Sequence, residues 1–272
     1  MIHKVLKGLA PVAALAASAM LAGCNVDMQI GDTEGVPLAE LDMSGAEPTE
    51  IVLASPDNVI VTTGDTFNIS VSGNEEAADL MRFNLEDNAL GIMREKSSKS
   101  TGGPAIVNVT MATLEGIVLA GSGTIEADRM DGRAEVTIAG SGSTKVTDMR
   151  ADKLDLTIAG SGDFETAGEV GDLEMTVAGS GSGKMAGLKV GKADITVAGS
   201  GDAEFQSDGD VEANIVGSGD ITVSGNATCT VSSLGSGKLR CKAGTTARSD
   251  KPSAPEAPEA PEAPKAPEAP GA

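Results

Sequence analysis

The chain has 272 residues with no Trp, no Tyr, 4 Phe and 35 Gly, and 40 acidic against 20 basic residues give it a formal net charge of −20. That balance argues against nucleic acid and against an anionic membrane surface as partners, because phosphate recognition needs clustered Lys and Arg. The one histidine is His3, so the body of the chain lacks the residue central to Ser-His-Asp and Cys-His sites, and the commonest zinc ligand.

Residues 1–23 read as a secretory leader. His3, Lys4 and Lys7 make a basic start, and Leu9 to Leu21 is an apolar run too short to span a bilayer comfortably. The run ends in Leu21-Ala22-Gly23-Cys24, which resembles the bacterial lipobox. The resemblance implies cleavage before Cys24 and lipidation of that cysteine; ordinary cleavage near Ala17 to Ala19 would instead leave it plain. Asn25 follows, not the aspartate that resembles an inner-membrane retention signal, so the expected address is the outer membrane, facing the periplasm or the surface. Several acyl chains would hold the protein firmly, since one chain alone binds marginally.

Residues 24–43 are polar and weakly patterned, as a tether would be, and a β-rich domain is expected over 44–247. Asn58 to Gly73 forms two alternating runs around Thr63-Gly64-Asp65, which predicts two strands about a turn. Glu75 to Phe83 reads as one short helix. Asn88 to Met93 and Ala105 to Met111 read as strands, separated by a loop whose composition predicts mobility, Arg94 to Pro104.

Repeats then dominate, and they outrank other signals. Gly-Ser-Gly begins at residues 121, 140, 160, 179, 199, 217 and 235, at spacings of 18–20. Before each, the lines align: Val136, Leu156, Met175, Ile195, Ala213 and Val231 form one column, and Ile138, Ile158, Val177, Val197 and Ile215 a second. Thr137, Thr157, Thr176, Thr196 and Asn214 lie between them and should face the other way, because period-two alternation marks a strand with one buried face. Val146, Thr166, Met185, Phe205, Val223 and Cys241 follow the turns in register, and a less regular line holds Met130, Met149, Val170 and Leu188.

Each unit thus offers about three short strands and three corners. A rung of this size cannot bury its apolar face alone, but copies stacked at ~4.8 Å build a continuous core. The expected fold is all-β, a parallel β-helix. Its corner glycines are Gly121, Gly123, Gly140, Gly142, Gly160, Gly162, Gly179, Gly181, Gly199, Gly201, Gly217, Gly219, Gly235 and Gly237, where glycine supplies backbone angles that branched residues resist. The small residue before each corner, Ala in five repeats, is expected to let the chain bend inward without a clash. Methionines such as Met130 and Met149, 19 apart, suit irregular corners.

No catalytic, cofactor or metal site is expected. The acidic residues Glu135, Asp155, Glu174, Asp194 and Glu212 recur as exposed alternates, forming an outer ladder. A saccharide-cleaving pair would need a cleft and an aromatic platform, and the chain has no Trp or Tyr. The residue after Gly-Ser-Gly varies from Asp to Ser, Thr and Lys238, unlike the oxygen ligands a calcium ladder needs at every turn. Cys229 and Cys241 each lie six residues from Gly235; in an oxidising envelope a disulfide is expected, with two buried thiols as the alternative. Residues 248–272 carry a Pro-rich, acidic low-complexity segment, expected as a polyproline II spacer.

The run from Leu41 to Gly73, then "NLEDNALGIM", "IVNVTMATLEGIVLAGSGTIEA" and the Ala-Gly-Ser-Gly ladder, resembles the head GIN domain family. The resemblance covers roughly Leu41 to Gly225. It implies a β-helix-like fold on a bacterial envelope protein with an adhesin label, and it carries over no catalytic residue. The resulting expectation is a non-enzymatic, lipid-anchored structural or interaction module, with a polysaccharide-binding or polysaccharide-cleaving β-helix as the alternative. Its partners would be the membrane, through the lipid, and an envelope protein or glycan, with self-association through the end rung or the flat faces a further reading.

Overall fold

The structure, a computed structural model, describes residues 35–95, 102–241 and 248–249. The leader, Cys24, most of the tether, the centre of the 94–104 loop and nearly all of the proline-rich segment lie outside the described residues.

The chain is a parallel β-solenoid, as its repeats predict. β1 (Glu50–Ala54) and β2 (Asn58–Thr63) form one rung. β7 (Gly116–Gly121) and the long strands β8 (Thr124–Gly140), β9 (Ser143–Gly160), β10 (Asp163–Gly179) and β11 (Ser182–Gly199) continue the coil. It is completed by β12 (Asp202–Ser207), β13 (Asp210–Gly217), β14 (Asp220–Ser224), β15 (Thr228–Gly235), β16 (Lys238–Cys241) and the short β17 (Arg248–Ser249). Where three short strands per unit were expected, β8 to β11 run unbroken from one Gly-Ser-Gly to the next.

The register fixes the core. Ile138, Ile158, Val177, Val197 and Ile215 are successive partners, as are Val136, Leu156, Met175, Ile195 and Ala213. Every one of these ten side chains is buried, each contributing about 1.5–3 kcal/mol where it is Val, Leu, Ile or Met. Both columns extend towards the N-terminus through Ile117 and Leu119, Ile51 and Leu53, then Leu90 and Ile92. β1 therefore belongs to the same coil, and Ser55-Pro56-Asp57 stands where later rungs write Gly-Ser-Gly.

Rung order and chain order differ at this end. After β2 the chain leaves the coil through β3 (Asn68–Gly73), α1 (Glu75–Asp79) and β4 (Met81–Glu86), and returns as β5 (Ala89–Arg94) and β6 (Ala105–Met111). β5 and β6 lie parallel on the outer edges of β1 and β2, while β3 and β4 cap them antiparallel. Only Glu75–Asp79 of the expected helix is helical. Asn74 caps it, its Oδ1 accepting from the Ala77 N–H at 3.0 Å. Met81 and Phe83 then alternate into the core at 2% and 1% exposure, and pairing with β5 outweighs helix propensity. The end of the expected tether is also engaged: Val36 bridges Phe83, and Leu38 and Leu41 pack on the core.

Two side-chain assignments change. Met149 pairs with Gly168, not Val170, which lines up with Ala151 and Val190. A bulge between Thr166 and Gly168 shifts the register. The Ala column before the corners points outward, not into the bend: Ala139, Ala159, Ala178 and Ala198 partner one another, and Val216 and Leu234 occupy the same column at 53% and 68% exposure. The shortening of the rungs from 20 to 18 residues has a packing cause. Between the pairs Lys184–Glu204 and Lys189–Gln206, the single buried Phe205 stands opposite the four residues Met185 to Leu188, and one residue is regained between Ser207 and Val211, opposite Val190 and Ala193.

Candidate functional site: the charged faces of the coil

The corners hold the faces in register. The first glycine of every Gly-Ser-Gly has positive φ, 125° at Gly160, and a side chain there would strike the carbonyl of Gly140 in the rung before. A second stack of close-approach glycines, Gly171, Gly191 and Gly209, escaped the sequence reading; a Cβ on Gly191 would lie 2.6 Å from the Gly171 carbonyl oxygen. At the first corner Asp57 takes the place of the second glycine. Its buried carboxylate accepts from Arg94 Nε at 2.9 Å, from the Arg94 guanidinium again, and from the Ala105 N–H at 2.7 Å. It locks the corner to β5 and β6.

With the rungs aligned, Glu50, Gly116, Glu135, Asp155, Glu174, Asp194 and Glu212 stack in one outer column. Neighbours repeat at about 4.8 Å, so like charges face like charges. Gly116 leaves room for Glu50, whose Cγ would lie 2.7 Å from a Cβ on that glycine. Burial, and next the charge of Glu135, push the Glu50 carboxyl above its ordinary value. Lys153 Nζ reaches Asp155 at 2.8 Å and Glu174 at 2.9 Å, and Lys192 reaches Asp194 at 3.0 Å. Hydrogen bonds to these carboxylates hold both lysines above the usual range. These two lysines, with Arg133 beside Glu135, are three cations against six carboxylates, which leaves the strip acidic.

The other outer columns are different, and the sequence reading missed them. Glu126, Lys145, Glu165, Lys184, Glu204, Thr222 and Arg240 stack in register, with alternating charge over the first five. Lys145 and Glu165 pair at 2.6 Å, while Lys184 pairs sideways with Asp163 at 2.8 Å. Asp131, Arg150, Glu169 and Lys189 alternate likewise on a third column. The signal was available: the fifth residue after each corner glycine reads Glu, Lys, Glu, Lys, Glu, Thr, Arg. Each pair is exposed and adds little to stability, but the alternation favours one register over a slipped one.

Two shallow hollows, of about 430 and 370 Å³, lie along the Lys145–Glu204 column and share Lys184 and Glu204. Neither is lined by the acidic column. A general acid needs a neutral carboxyl poised over a bound substrate beside a second carboxylate. Burial raises the Glu50 carboxyl, but Glu50 lies on a strand face outside both hollows. Asp155 and Glu174 share Lys153. Among the described residues no three His, Cys, Asp or Glu side chains come together as metal ligands. Cys229 and Cys241 are joined by a disulfide, Cα to Cα 6.7 Å, tying β15 to β16 at the last rung.

Residues 47–227 match the family described as "Putative auto-transporter adhesin, head GIN domain". The chain belongs to that family. Solved structures share the head GIN coil. A "putative adhesin" from Bacteroides fragilis NCTC 9343 is 20% identical with a TM-score of 0.66, covering 72% of this chain and 93% of its own. A "putative adhesin" from Parabacteroides distasonis ATCC 8503 is 19% identical with a TM-score of 0.57, covering 73% and 94%. A "putative lipid binding protein" from the same organism is 25% identical with a TM-score of 0.56, covering 72% and 93%. None of the curated proteins is a match. The match begins just before β1 and ends before Cys229, so the disulfide-bearing rung lies beyond the matched head GIN residues.

Proposed function

We propose that this head GIN protein is a lipid-anchored module of the bacterial cell envelope, held at the outer membrane through Cys24, that acts by presenting a rigid face rather than by catalysis. The observation that carries the reading is the division of charge on the coil. Two outer columns spend their charges on each other, and one column from Glu50 to Glu212 keeps an acidic excess on a flat, regular strip. Such a strip suits a cationic partner, protein or glycan, met by many weak contacts along the rod. The lipobox supports the anchor, and the family description supports adhesion.

Two experiments test it. Cys24→Ala should move the protein out of the membrane fraction or leave it unprocessed; a variant that still pellets with membranes after normal processing removes the anchor from the proposal. Lipid-free protein should bind cationic glycans without turnover, and should turn over none of peptidoglycan, alginate and pectin. Glu135→Gln with Glu174→Gln and Glu212→Gln should weaken that binding. Turnover that vanishes on replacing Asp155 and Glu174 would make the protein an enzyme and overturn the reading.

A further inference from the structure

The two ends of the coil are chemically opposite. At the N-terminal end the cap exposes Glu40, Asp42, Glu75, Glu76, Asp79 and Glu86. The two basic residues described between 35 and 95 are engaged there already, Arg82 with Glu95 and Arg94 with the buried Asp57. At the C-terminal end the sequence from Ile221 to Ser249 contains no Asp or Glu. The β15–β16 rung there, the last before the short β17, exposes Lys238 and Arg240. Arg240 meets Asp220 of the preceding rung at 2.9 Å, and Lys238 has no ion pair among the described residues. In a chain of charge −20, residues 221–249 are a local positive exception, followed by the acidic proline-rich segment.

Apolar exposure follows the same division. The large hydrophobics that reach solvent among the described residues are Val36, Met43 and Ile60 at one end and Val216 and Leu234 at the other. The long middle strands β8 to β11 expose none. Val216 and Leu234 are register partners, so they form one small patch beside the cationic rung. β17 covers Thr230 and Val231 of that rung, but the rest of its edge is open among the described residues: β16 pairs only with β14, and Ser232 to Gly235 pair only with β13. The N-terminal cap has been blunted, by α1 and by the bridge of Val36 to Phe83, so contact there is made by side chains.

We infer that the C-terminal rung is a docking surface for the N-terminal cap of a second copy, joining coils head to tail. Lys238 and Arg240 meet the carboxylates of α1 and the segment before β1, and Leu234 with Val216 is covered by the apolar residues of the cap. The surface differs from the acidic strip of the proposed function and does not depend on it. Because the two patches lie at opposite ends, the contact is heterologous and does not close; it builds a linear row of coils. Neither patch is large, so the contact is weak alone and gains from copies held together on one membrane.

The test uses the mature chain, residues 24–272, with Cys24→Ala so that no acyl chain contributes. Sedimentation velocity should show mass rising with concentration. Zero-length carbodiimide coupling should join Lys238 to Glu75 or Glu76; within one copy these ends are eight rung intervals apart, roughly 38 Å at the strand spacing, so such a link is intermolecular. Lys238→Glu with Arg240→Glu should weaken association more than tenfold, as should Glu75→Lys with Glu76→Lys. Mixing the two variants should restore pairing, because each supplies the other's complement, and that rescue also excludes misfolding as the cause. A mass that stays monomeric, association that ignores both charge reversals, or cross-links confined to the flat faces would overturn the inference.

Discussion

Gly160→Ala tests whether the corners are held by contact between rungs or only by backbone preference. Gly160 has φ 125°, a region used almost exclusively by glycine, and holding alanine there costs about 1–3 kcal/mol. Its added Cβ would overlap the Gly140 carbonyl oxygen and sit 3.1 Å from that carbonyl carbon and 3.2 Å from the Gly140 nitrogen. These atoms are backbone in a rung fixed by its own ladder, so they cannot swing aside as a side chain would. Overpacking of this kind adds about 1–3 kcal/mol, occasionally more. Gly132→Ala separates the two causes. Gly132 also has positive φ, 73°, but nothing lies within 4 Å of its Cβ position, so only a left-handed cost of about 1–2 kcal/mol applies. Chemical denaturation of both variants, followed by far-ultraviolet circular dichroism, should show Gly160→Ala losing about twice as much stability or more. Equal losses would mean that the rungs yield at the corner, and the steric account of the repeat would fail.

Three further outcomes follow from the described contacts. Asp57→Ala should destabilise the domain by about 3–5 kcal/mol by removing the buried carboxylate that holds Arg94 and the Ala105 N–H, and hydrogen exchange should show β5 and β6 opening first; unchanged protection there would deny Asp57 its locking role. Glu50, raised by burial, contributes stability that is complete below the ordinary glutamate value and lost as pH rises through the higher folded value. Glu50→Gln should therefore raise Tm at neutral pH, with the gain shrinking in mild acid, and a gain independent of pH would contradict the shift. Reduction of Cys229–Cys241 should cost about 2–3 kcal/mol, as expected for a short closed loop, and alkylation of unfolded protein should need reductant; full labelling without it would show free thiols.

Much of the coil was legible in the chain alone. The columns through Ile138, Ile158, Val177 and Val197 and the seven Gly-Ser-Gly corners are written by a local rule repeated every 18–20 residues. Alternation names the buried face of each strand, and the repeat names its neighbour. What the tertiary structure decided lies where that rule is interrupted. Ser55-Pro56-Asp57 is a corner only because β1 lies between β5 and β7, a pairing no local pattern encodes. The excursion through β3, α1, β4, β5 and β6 reverses chain order against rung order, since β5 and β6 find their partners upstream. Bulges move Gly168, not Val170, opposite Met149, and the corner geometry turns the Ala column outward. The charge ladders needed the register before alternating signs became neighbours. A side chain's direction in a strand is local, but its partner across rungs is set by hydrogen bonds between segments about 19 residues apart, and a bulge decides where an extra residue is taken up so that the columns beyond it stay aligned.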